Sequence, residues 1–270
     1  MSFLSQKRRK ILFVICILVL TTLIIIPPPI TRYRDRAVHL SIDDVKDCLV
    51  ELTVNEDKYE SIFDHYFFRR LKILHDLFGA RFTLYLFPLD VKLEGAMSKF
   101  HHDFHDSKDW LKLGFHGVSQ NFSRENTGDS ALFVQRYKET NQLIDYLGGA
   151  RTDILRLHYW YATDVEKIFL KNAGVKTLLT SEVDSPSYSL SEVFMKRLQN
   201  GSITDSALHY LKTDIRVEDI TLTPYFTLLD HHDNDTLVIY SHEWFLGRKN
   251  YLRFARLIEI LALSKCRFIN

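Results

Sequence analysis

From residue 36 onward, short runs of β-forming residues alternate with stretches whose apolar residues recur at helical spacing. Strands are predicted at 36–42, 80–88, 110–117, 153–160, 175–181 and 236–241, and helices at 59–79, 130–147, 163–174 and 251–266. Residues 206–220 show the alternation of a hairpin or an extended excursion. Strands that alternate with helices form crossover units and build parallel sheets or barrels. The sequence therefore predicts an α/β fold, and a barrel-like form of it.

Chemically active side chains follow four of these strands at the point where each strand ends. In chain order they are Asp43 and Asp44, then His116, then Arg156 and His158, and finally His242 with Glu243. The carboxyl ends of parallel strands lie on one side of a sheet, and ligands bind there. Polar residues also collect at strand ends simply because solvent begins there. The concentration of Asp, His and Arg at all four ends favours one functional site.

The adjacent carboxylates of Asp43 and Asp44 need a compensating partner. Two such groups repel each other, and their desolvation costs free energy. Carboxylates and imidazoles together are suitable ligands for a divalent metal, of which zinc is the expected one. A cation at this place would neutralise one aspartate and leave the other free to act as a base.

Four segments resemble, in order, the motifs of the polysaccharide deacetylases of carbohydrate esterase family four. SIDDV resembles the first motif, usually T-F-D-D-G, and GFHGVSQ the second, H-S/T-x-x-H. RLHYW resembles the third, R-x-P-Y, and VIYSHEW the fifth. The resemblance covers residues 36–245 and implies a deformed (β/α) barrel of the polysaccharide deacetylase type.

The same resemblance implies roles for individual residues and an activity. Asp43 would be the catalytic base, and Arg156 would orient it. Asp44 and His116 would bind the metal, and His242 would protonate the leaving amine. The implied protein is a metal-dependent hydrolase that removes N-acetyl groups from an extracytoplasmic polysaccharide or glycan.

This chain departs from the family pattern at three positions. Gln120 stands where the second motif supplies another metal-binding histidine, and an amide is a weaker ligand than an imidazole. His158 replaces the proline of the third motif, and strand alternation would place it on the same side as Arg156. We therefore expect His158 to be the replacement ligand; alternatively, it packs or hydrogen-bonds at the barrel rim. Val45 replaces the glycine that follows the Asp pair.

Residues near these motifs have less specific roles. Tyr159, Trp160 and Trp244 adjoin the expected site and could stack on sugar rings, or serve as packing at the rim. Asp184 is a weak candidate partner for Arg156. The segment TDIRVE (213–218) could form a supporting ion network or a substrate clamp, of which the structural role is favoured.

The N-terminus carries a membrane-targeting pattern. KRRK (7–10) precedes an uncharged apolar run (11–26), which is near the short end of the length that spans a bilayer. No small-x-small site follows the run, so an uncleaved anchor is favoured over a signal peptide, and the basic residues predict a cytoplasmic N-terminus. We expect a cytoplasmic basic stub and single transmembrane helix at 1–30, and an extracytoplasmic deacetylase-like catalytic domain at 31–270.

The amino-acid composition limits the classes of partner to be expected, and the motifs leave two alternative functions open. Lys and Arg number 35 against 34 Asp and Glu, so no basic field indicates a nucleic-acid partner. The first alternative is a catalytically inactive deacetylase-like protein that binds glycan or supports envelope assembly, which Gln120 favours. The second is hydrolysis of an O-ester or phosphoester, because the same ligands would serve.

Overall fold

The computed structural model describes residues 35–89, 96–120, 129–182, 187–198, 202–205, 208–220, 236–247 and 250–270. The anchor expected at 11–26 lies outside these ranges. Within them, no helix has both the length and the apolar character that a membrane crossing requires.

Strands and helices alternate through the described residues, as predicted. The strands are β1 (Ala37–Val45), β2 (Phe82–Leu86), β3 (Leu111–Phe115), β4 (Ala150–Arg151), β5 (Ile154–Leu155), β6 (Thr177–Leu179), β7 (Ser202–Asp205), β8 (Leu208–Leu211), β9 (Ile215–Arg216), β10 (Thr236–His242) and β11 (Arg267–Ile269). The α-helices are α1 (Asp47–Val54), α2 (Tyr66–Phe78), α3 (His101–Asp106), α4 (Ser130–Tyr146), α5 (Asp164–Asn172), α6 (Glu192–Leu198) and α7 (Tyr251–Leu263). Short 3₁₀ turns occupy Glu56–Lys58, Ile62–Asp64, Ala96–Phe100, His158–Trp160, Val217–Asp219 and Glu243–Leu246.

The described strands form two sheets. The larger has the order β4-β3-β2-β1-β10-β9, with β11 also paired to β1, and the smaller has the order β5-β6-β8-β7. All of these pairings are parallel except the hairpin of β7 and β8. Backbone hydrogen bonds from Thr152 N to Leu113 O (2.9 Å) and from His158 N to His116 O (2.7 Å) join the segment around β5 to the end of β3. The α/β prediction with a parallel sheet is confirmed.

Strand β1 lies at the centre of the larger sheet and is buried on both faces. Val38, Leu40 and Ile42 have no exposed surface, and burial of such side chains contributes about 1.5–3 kcal/mol each. The alternate residues His39 and Asp43 are almost equally buried, at 1% and 2% exposure. Strand β1 therefore places the buried carboxylate of Asp43 near its carboxyl-terminal end.

Two segments differ most in extent from their prediction. The helix expected at 59–79 begins only at Tyr66, because His65 accepts a hydrogen bond from Phe67 N and caps α2; it ends as expected at Gly79, which has a left-handed φ of 67°. The strand expected at 153–160 is limited to β5. The last three residues of the expected strand instead form the 3₁₀ turn His158–Trp160, in which Tyr159 has a φ of 56°.

Candidate metal centre and active site

Three of the predicted ligands meet at the carboxyl end of the larger sheet. Asp44 from β1, His116 after β3 and His158 after β5 each offer one ligand atom, and these atoms lie within 4.8 Å of one another. Such convergence follows from the topology, because β1, β2 and β3 are neighbouring parallel strands. The described residues thus contain a group of side chains that could hold a metal ion.

His116 has the tautomer that a metal ligand needs. Its Nδ1 atom lies 2.8 Å from the carbonyl oxygen of Arg156, and a carbonyl can only accept, so Nδ1 carries the proton. In the neutral ring the lone pair is then on Nε2, which lies 3.2 Å from Oδ1 of Asp44. Two acceptors at this distance repel each other unless a proton or a cation lies between them. A backbone carbonyl that fixes a histidine in this way is typical of metal sites.

His158, the third member of this group, has a buried ring nitrogen without a hydrogen-bond partner among the described residues. This atom is Nδ1, while the ring makes a hydrogen bond with the backbone of Ser119. Burial, followed by the neighbouring His116, lowers the pKa of His158 to about 4. The ring is therefore neutral near pH 7, as metal binding requires.

His158 reaches the site for a reason that differs from strand alternation. It begins a 3₁₀ turn, so the alternation argument is wrong at this residue. Its ring instead stacks on that of His116, with centroids 5.2 Å apart, and packs edge-on against Phe87 at 5.0 Å. Gly117 permits this approach, because a Cβ atom there would lie 3.0 Å from Cβ of His158.

The backbone at Asp44 departs from the regular strand conformation. Its φ is 60°, and the pairing of β1 with β2 shifts register between Ile42 and Val45. Burial raises the pKa of Asp44, but at the acidic pH where Asp44 titrates the imidazoles are protonated, and the hydrogen bond and charge of His116, with the charges of His242 and His158, outweigh burial and lower it to about 2. The candidate ligand Asp44 is therefore anionic at neutral pH. Asp tolerates the left-handed conformation better than most residues.

Asp43 and Arg156 form a buried ion pair beside this centre. Oδ2 of Asp43 lies 3.3 Å from Nε of Arg156, and both side chains are at most 3% exposed. Nη1 of Arg156 donates to Oγ1 of Thr213 at 2.7 Å, and its guanidinium lies 4.2 Å from the ring centroid of Tyr240. Burial raises the pKa of Asp43, although the charge of Arg156 opposes it. The structure thus pairs Arg156 with Asp43, the residue that the resemblance predicts it would orient.

His242 faces the candidate metal ligands with one nitrogen and binds Glu218 with the other. Nδ1 lies 3.1 Å from Oε1 of Glu218, and Nε2 lies 4.0 Å from Oδ2 of Asp44. Burial alone would lower the pKa of His242. The hydrogen bond with Glu218, with the charges of Asp43, Glu218 and Asp44, raises it. The ring therefore carries a proton more readily than an ordinary histidine.

Glu218 is the member of TDIRVE that supports the site. Besides Nδ1 of His242, its Oε1 accepts from the backbone N of His242 at 2.8 Å and from Oγ of Ser241 at 3.0 Å. Asp214 has a different task, because it accepts from the backbone N of Val238 at 2.7 Å. The sequence predicts a supporting ion network in TDIRVE, but no feature of the sequence indicates that this network binds His242.

Glu243 follows His242 but stabilises a helix rather than the reaction centre. Its carboxylate accepts from the backbone N atoms of Lys46 (2.8 Å), Asp47 (3.0 Å) and Cys48 (2.6 Å), at the start of α1. A carboxylate at a helix N-terminus satisfies free N–H groups and complements the helix dipole. Because α1 directly follows the Asp43–Asp44 pair, Glu243 also fixes the end of β1.

The predicted aromatic residues lie in different environments. Tyr159 is 47% exposed and stacks on His158 with centroids 4.1 Å apart. Trp244 is 60% exposed, stacks on His242 at 5.1 Å, and donates from Nε1 to Oδ2 of Asp44 at 3.3 Å. Trp160 is partly buried against the hydrophobic core. Gln120 is exposed, and Asp184 lies outside the described residues.

No protein-family model and no curated protein sequence matches the chain. Solved structures do match it. The Bc1960 peptidoglycan N-acetylglucosamine deacetylase is 11% identical, with a TM-score of 0.51 over 88% of this chain and 86% of that one. A family 4 carbohydrate esterase from Streptomyces lividans, solved with acetate, is 12% identical, with a TM-score of 0.50 over 86% and 91%.

A third match is the structure of an enzyme that is named neither a deacetylase nor an esterase. The 4-alpha-glucanotransferase from Thermococcus litoralis is 12% identical, with a TM-score of 0.52 over 88% of this chain and 39% of that one. At these identities the matches show the fold, while activity has to be argued from the site. The chain has a divergent polysaccharide deacetylase-like fold, as its ordered motifs predict.

Proposed function

We propose that the protein is a metal-dependent hydrolase that removes acetyl groups from N-acetylated sugars of a polysaccharide or glycan. The observation that carries the proposal is the convergence of Asp44, His116 and His158, with Asp43 and His242 beside them. The Bc1960 and Streptomyces lividans matches, named as a deacetylase and a carbohydrate esterase, support it.

The three side chains fit a divalent cation, and zinc best. Two neutral imidazoles and one carboxylate are a common ligand set of catalytic zinc sites, which leave a position open for water or substrate. The opposed acceptor atoms of His116 and Asp44 and the unpartnered Nδ1 of His158 are consistent with this use. A zinc ion held there would polarise the acetamide carbonyl and lower the pKa of water.

Asp43 is suited to act as the general base. It would accept a proton from the water that attacks the carbonyl carbon, while Arg156 keeps its carboxylate in one orientation. A carboxylate whose pKa is raised by burial is a stronger base than an exposed one, provided that it stays ionised at the working pH. Arg156 opposes the effect of burial and so favours the ionised form.

His242 is suited to act as the general acid. Because Nδ1 is engaged by Glu218, the proton available for transfer is on Nε2, the nitrogen nearer to Asp44. His242 would donate this proton to the leaving nitrogen as the C–N bond breaks. The products are acetate and a free amine on the sugar. Tyr159 and Trp244 expose aromatic faces at the mouth of the site, where a sugar ring could stack.

We also propose that residues 11–26 anchor the protein in a membrane and that residues 31–270 form its extracytoplasmic catalytic domain. The support is the apolar run itself and the basic residues that precede it. Protease protection of the full chain in sealed vesicles tests this orientation. Residues 31–270 should be digested only from the extracytoplasmic side.

The deciding experiment measures metal content and acetate release. The full chain, purified in detergent, would be compared with His158→Ala and with the matched control Gln120→Ala. We expect roughly one zinc ion per chain in the wild type and in Gln120→Ala, and little in His158→Ala. Acetate should be released from N-acetylated glycans and not from O-acetylated ones.

Other outcomes would support other functions. A wild-type protein that binds no metal but retains glycan would favour the inactive binding protein, for which Gln120 is the supporting observation. Release of acetate only from O-esters would favour esterase chemistry at the same ligands. Loss of metal in Gln120→Ala but not in His158→Ala would overturn the assigned ligand set.

A further inference from the structure

The turn that carries His158 has an unfavourable backbone conformation. Tyr159 and Trp160 are consecutive residues with left-handed φ angles of 56° and 49°. Bulky aromatic residues adopt this region rarely, and such conformations persist only where the surrounding structure enforces them. Some contact outside the turn must therefore hold it.

Tyr188 makes hydrogen bonds to both ends of this turn. Its hydroxyl oxygen accepts from the backbone N of Leu157 at 3.2 Å, just before His158. Its backbone N donates to the carbonyl oxygen of Trp160 at 2.6 Å, at the end of the turn. One residue, distant in sequence, thus spans the whole segment from Leu157 to Trp160.

Tyr188 is itself fixed by two elements of the core. Its hydroxyl donates to the carbonyl oxygen of Leu179, the last residue of β6, at 2.7 Å. Its carbonyl oxygen accepts from Nζ of Lys167 on α5 at 3.1 Å. The side chain is only 1% exposed. The position of the turn is therefore set relative to β6 and α5.

We propose that Tyr188 is a positioning residue that holds His158 as the third metal ligand. The inference rests on the metal site of the proposed function. Among the described residues no hydrogen bond or ring contact joins Tyr188 to Asp44 or His116; Tyr188 acts through the backbone on either side of His158. Because His158 stands on an irregular turn rather than on a strand, its direction depends on this contact.

The test compares Tyr188→Phe with the matched control Tyr210→Phe. Both substitutions remove one hydroxyl from a buried tyrosine of the same cluster, and the two rings lie 5.9 Å apart. The hydroxyl of Tyr210, however, has no hydrogen-bond partner among the described residues. Zn²⁺ would be titrated by calorimetry into the metal-free full chain in detergent. We expect Tyr188→Phe to weaken zinc binding roughly 10-fold or more, and Tyr210→Phe to leave it unchanged.

A double-mutant cycle separates positioning from a general loss of stability. The cycle uses zinc concentrations high enough to load the two ligands that remain in a His158→Ala background, and if Tyr188 acts through His158, Tyr188→Phe should change the zinc affinity of that background less than about 2-fold. A similar loss in both backgrounds would overturn the proposal, as would unchanged binding in Tyr188→Phe alone.

Hydrogen exchange gives a readout that does not depend on metal. The amide of Leu157 should exchange faster in Tyr188→Phe than in the wild type, and at the wild-type rate in Tyr210→Phe. A wild type that binds no zinc would reject the proposed function, and exchange would still decide whether Tyr188 holds the turn. Unchanged exchange in Tyr188→Phe would reject the role of Tyr188 even if zinc binds normally.

Discussion

His242 and Glu218 form an ion pair in which Nδ1 and Oε1 are 3.1 Å apart, and the same Oε1 also accepts from the backbone N of His242. The carboxylate therefore fixes both the ring and the strand end that carries it. It also raises the pKa of the ring against the effect of burial, because it stabilises the cationic form.

The first prediction concerns the pH dependence of activity. In the proposed mechanism His242 is the general acid and works only when protonated, and Glu218 raises its pKa against the effect of burial. In Glu218→Gln this pKa falls, so the alkaline limb of the kcat profile should move to lower pH. A shift of one unit would reduce kcat about tenfold on that limb, with little change at pH values where both forms are protonated. Steady-state rates between pH 5 and 9 test this.

Asp219→Asn is the control for that shift. Asp219 is exposed and adjacent in sequence, so its substitution removes a charge without removing the contact with His242. If Asp219→Asn shifts the limb as far as Glu218→Gln, the direct pair is not the cause.

The second prediction separates the two adjacent aspartates. Asp43→Asn should reduce kcat by about 10²–10⁴ while zinc content stays near the wild-type level, because the base is lost and the ligands remain. Asp44→Asn should lose zinc as well as activity. Metal analysis beside single-turnover rates checks both variants. Loss of zinc in Asp43→Asn would show that Asp43 belongs to the metal site.

The third prediction concerns Gly117. A Cβ atom there would lie 3.0 Å from Cβ of His158 and 3.4 Å from the ring of Phe87, so Gly117→Ala should displace His158. We expect roughly 10-fold weaker zinc binding, measured by competition with a chromophoric chelator. Gly247→Ala is the control, because no atom of the described residues, its chain neighbours aside, lies within 4 Å of a Cβ built at that position. Equal effects of the two variants would argue against a steric cause.

The fourth prediction concerns Glu243. Removal of its carboxylate in Glu243→Ala leaves three backbone N–H groups at the start of α1 without their acceptor. The free energy of unfolding should fall by about 1–3 kcal/mol, measured by urea denaturation. Glu243→Gln retains one oxygen and should lose less. Glu60→Gln, an exposed control, should stay within about 0.5 kcal/mol of the wild type, and a similar loss there would contradict the assignment.

The sequence predicted the convergence of the site because that convergence follows from strand direction. Asp44 and His116 come at the ends of parallel strands, so no detail of packing is needed to bring them together. His158 was predicted from strand alternation, whereas the structure brings it in by stacking on His116 after the strand has ended. The pattern of a strand does not show where its hydrogen bonding stops.

The supporting contacts could not be read from the sequence, since they join distant segments. Glu243 binds α1 across about two hundred residues, and Tyr188 binds a turn nearly thirty residues earlier. In the sequence, Glu243 cannot be distinguished from any other polar residue that follows a strand. Such partners are set by tertiary packing, which local periodicity does not encode.

The left-handed φ of Asp44 separates the tasks of two neighbouring acids. In a regular strand, alternation would turn their carboxylates to opposite faces, and one of them would enter the helix layer. Here the left-handed torsion at Asp44, with the register shift between Ile42 and Val45, places Oδ1 of Asp44 3.2 Å from Nε2 of His116 while Asp43 pairs with Arg156. Lengthening or shortening the chain by one residue between Ile42 and Val45 should therefore turn both carboxylates away from their present partners, so we expect an insertion or deletion there to abolish activity as surely as substitution of either aspartate.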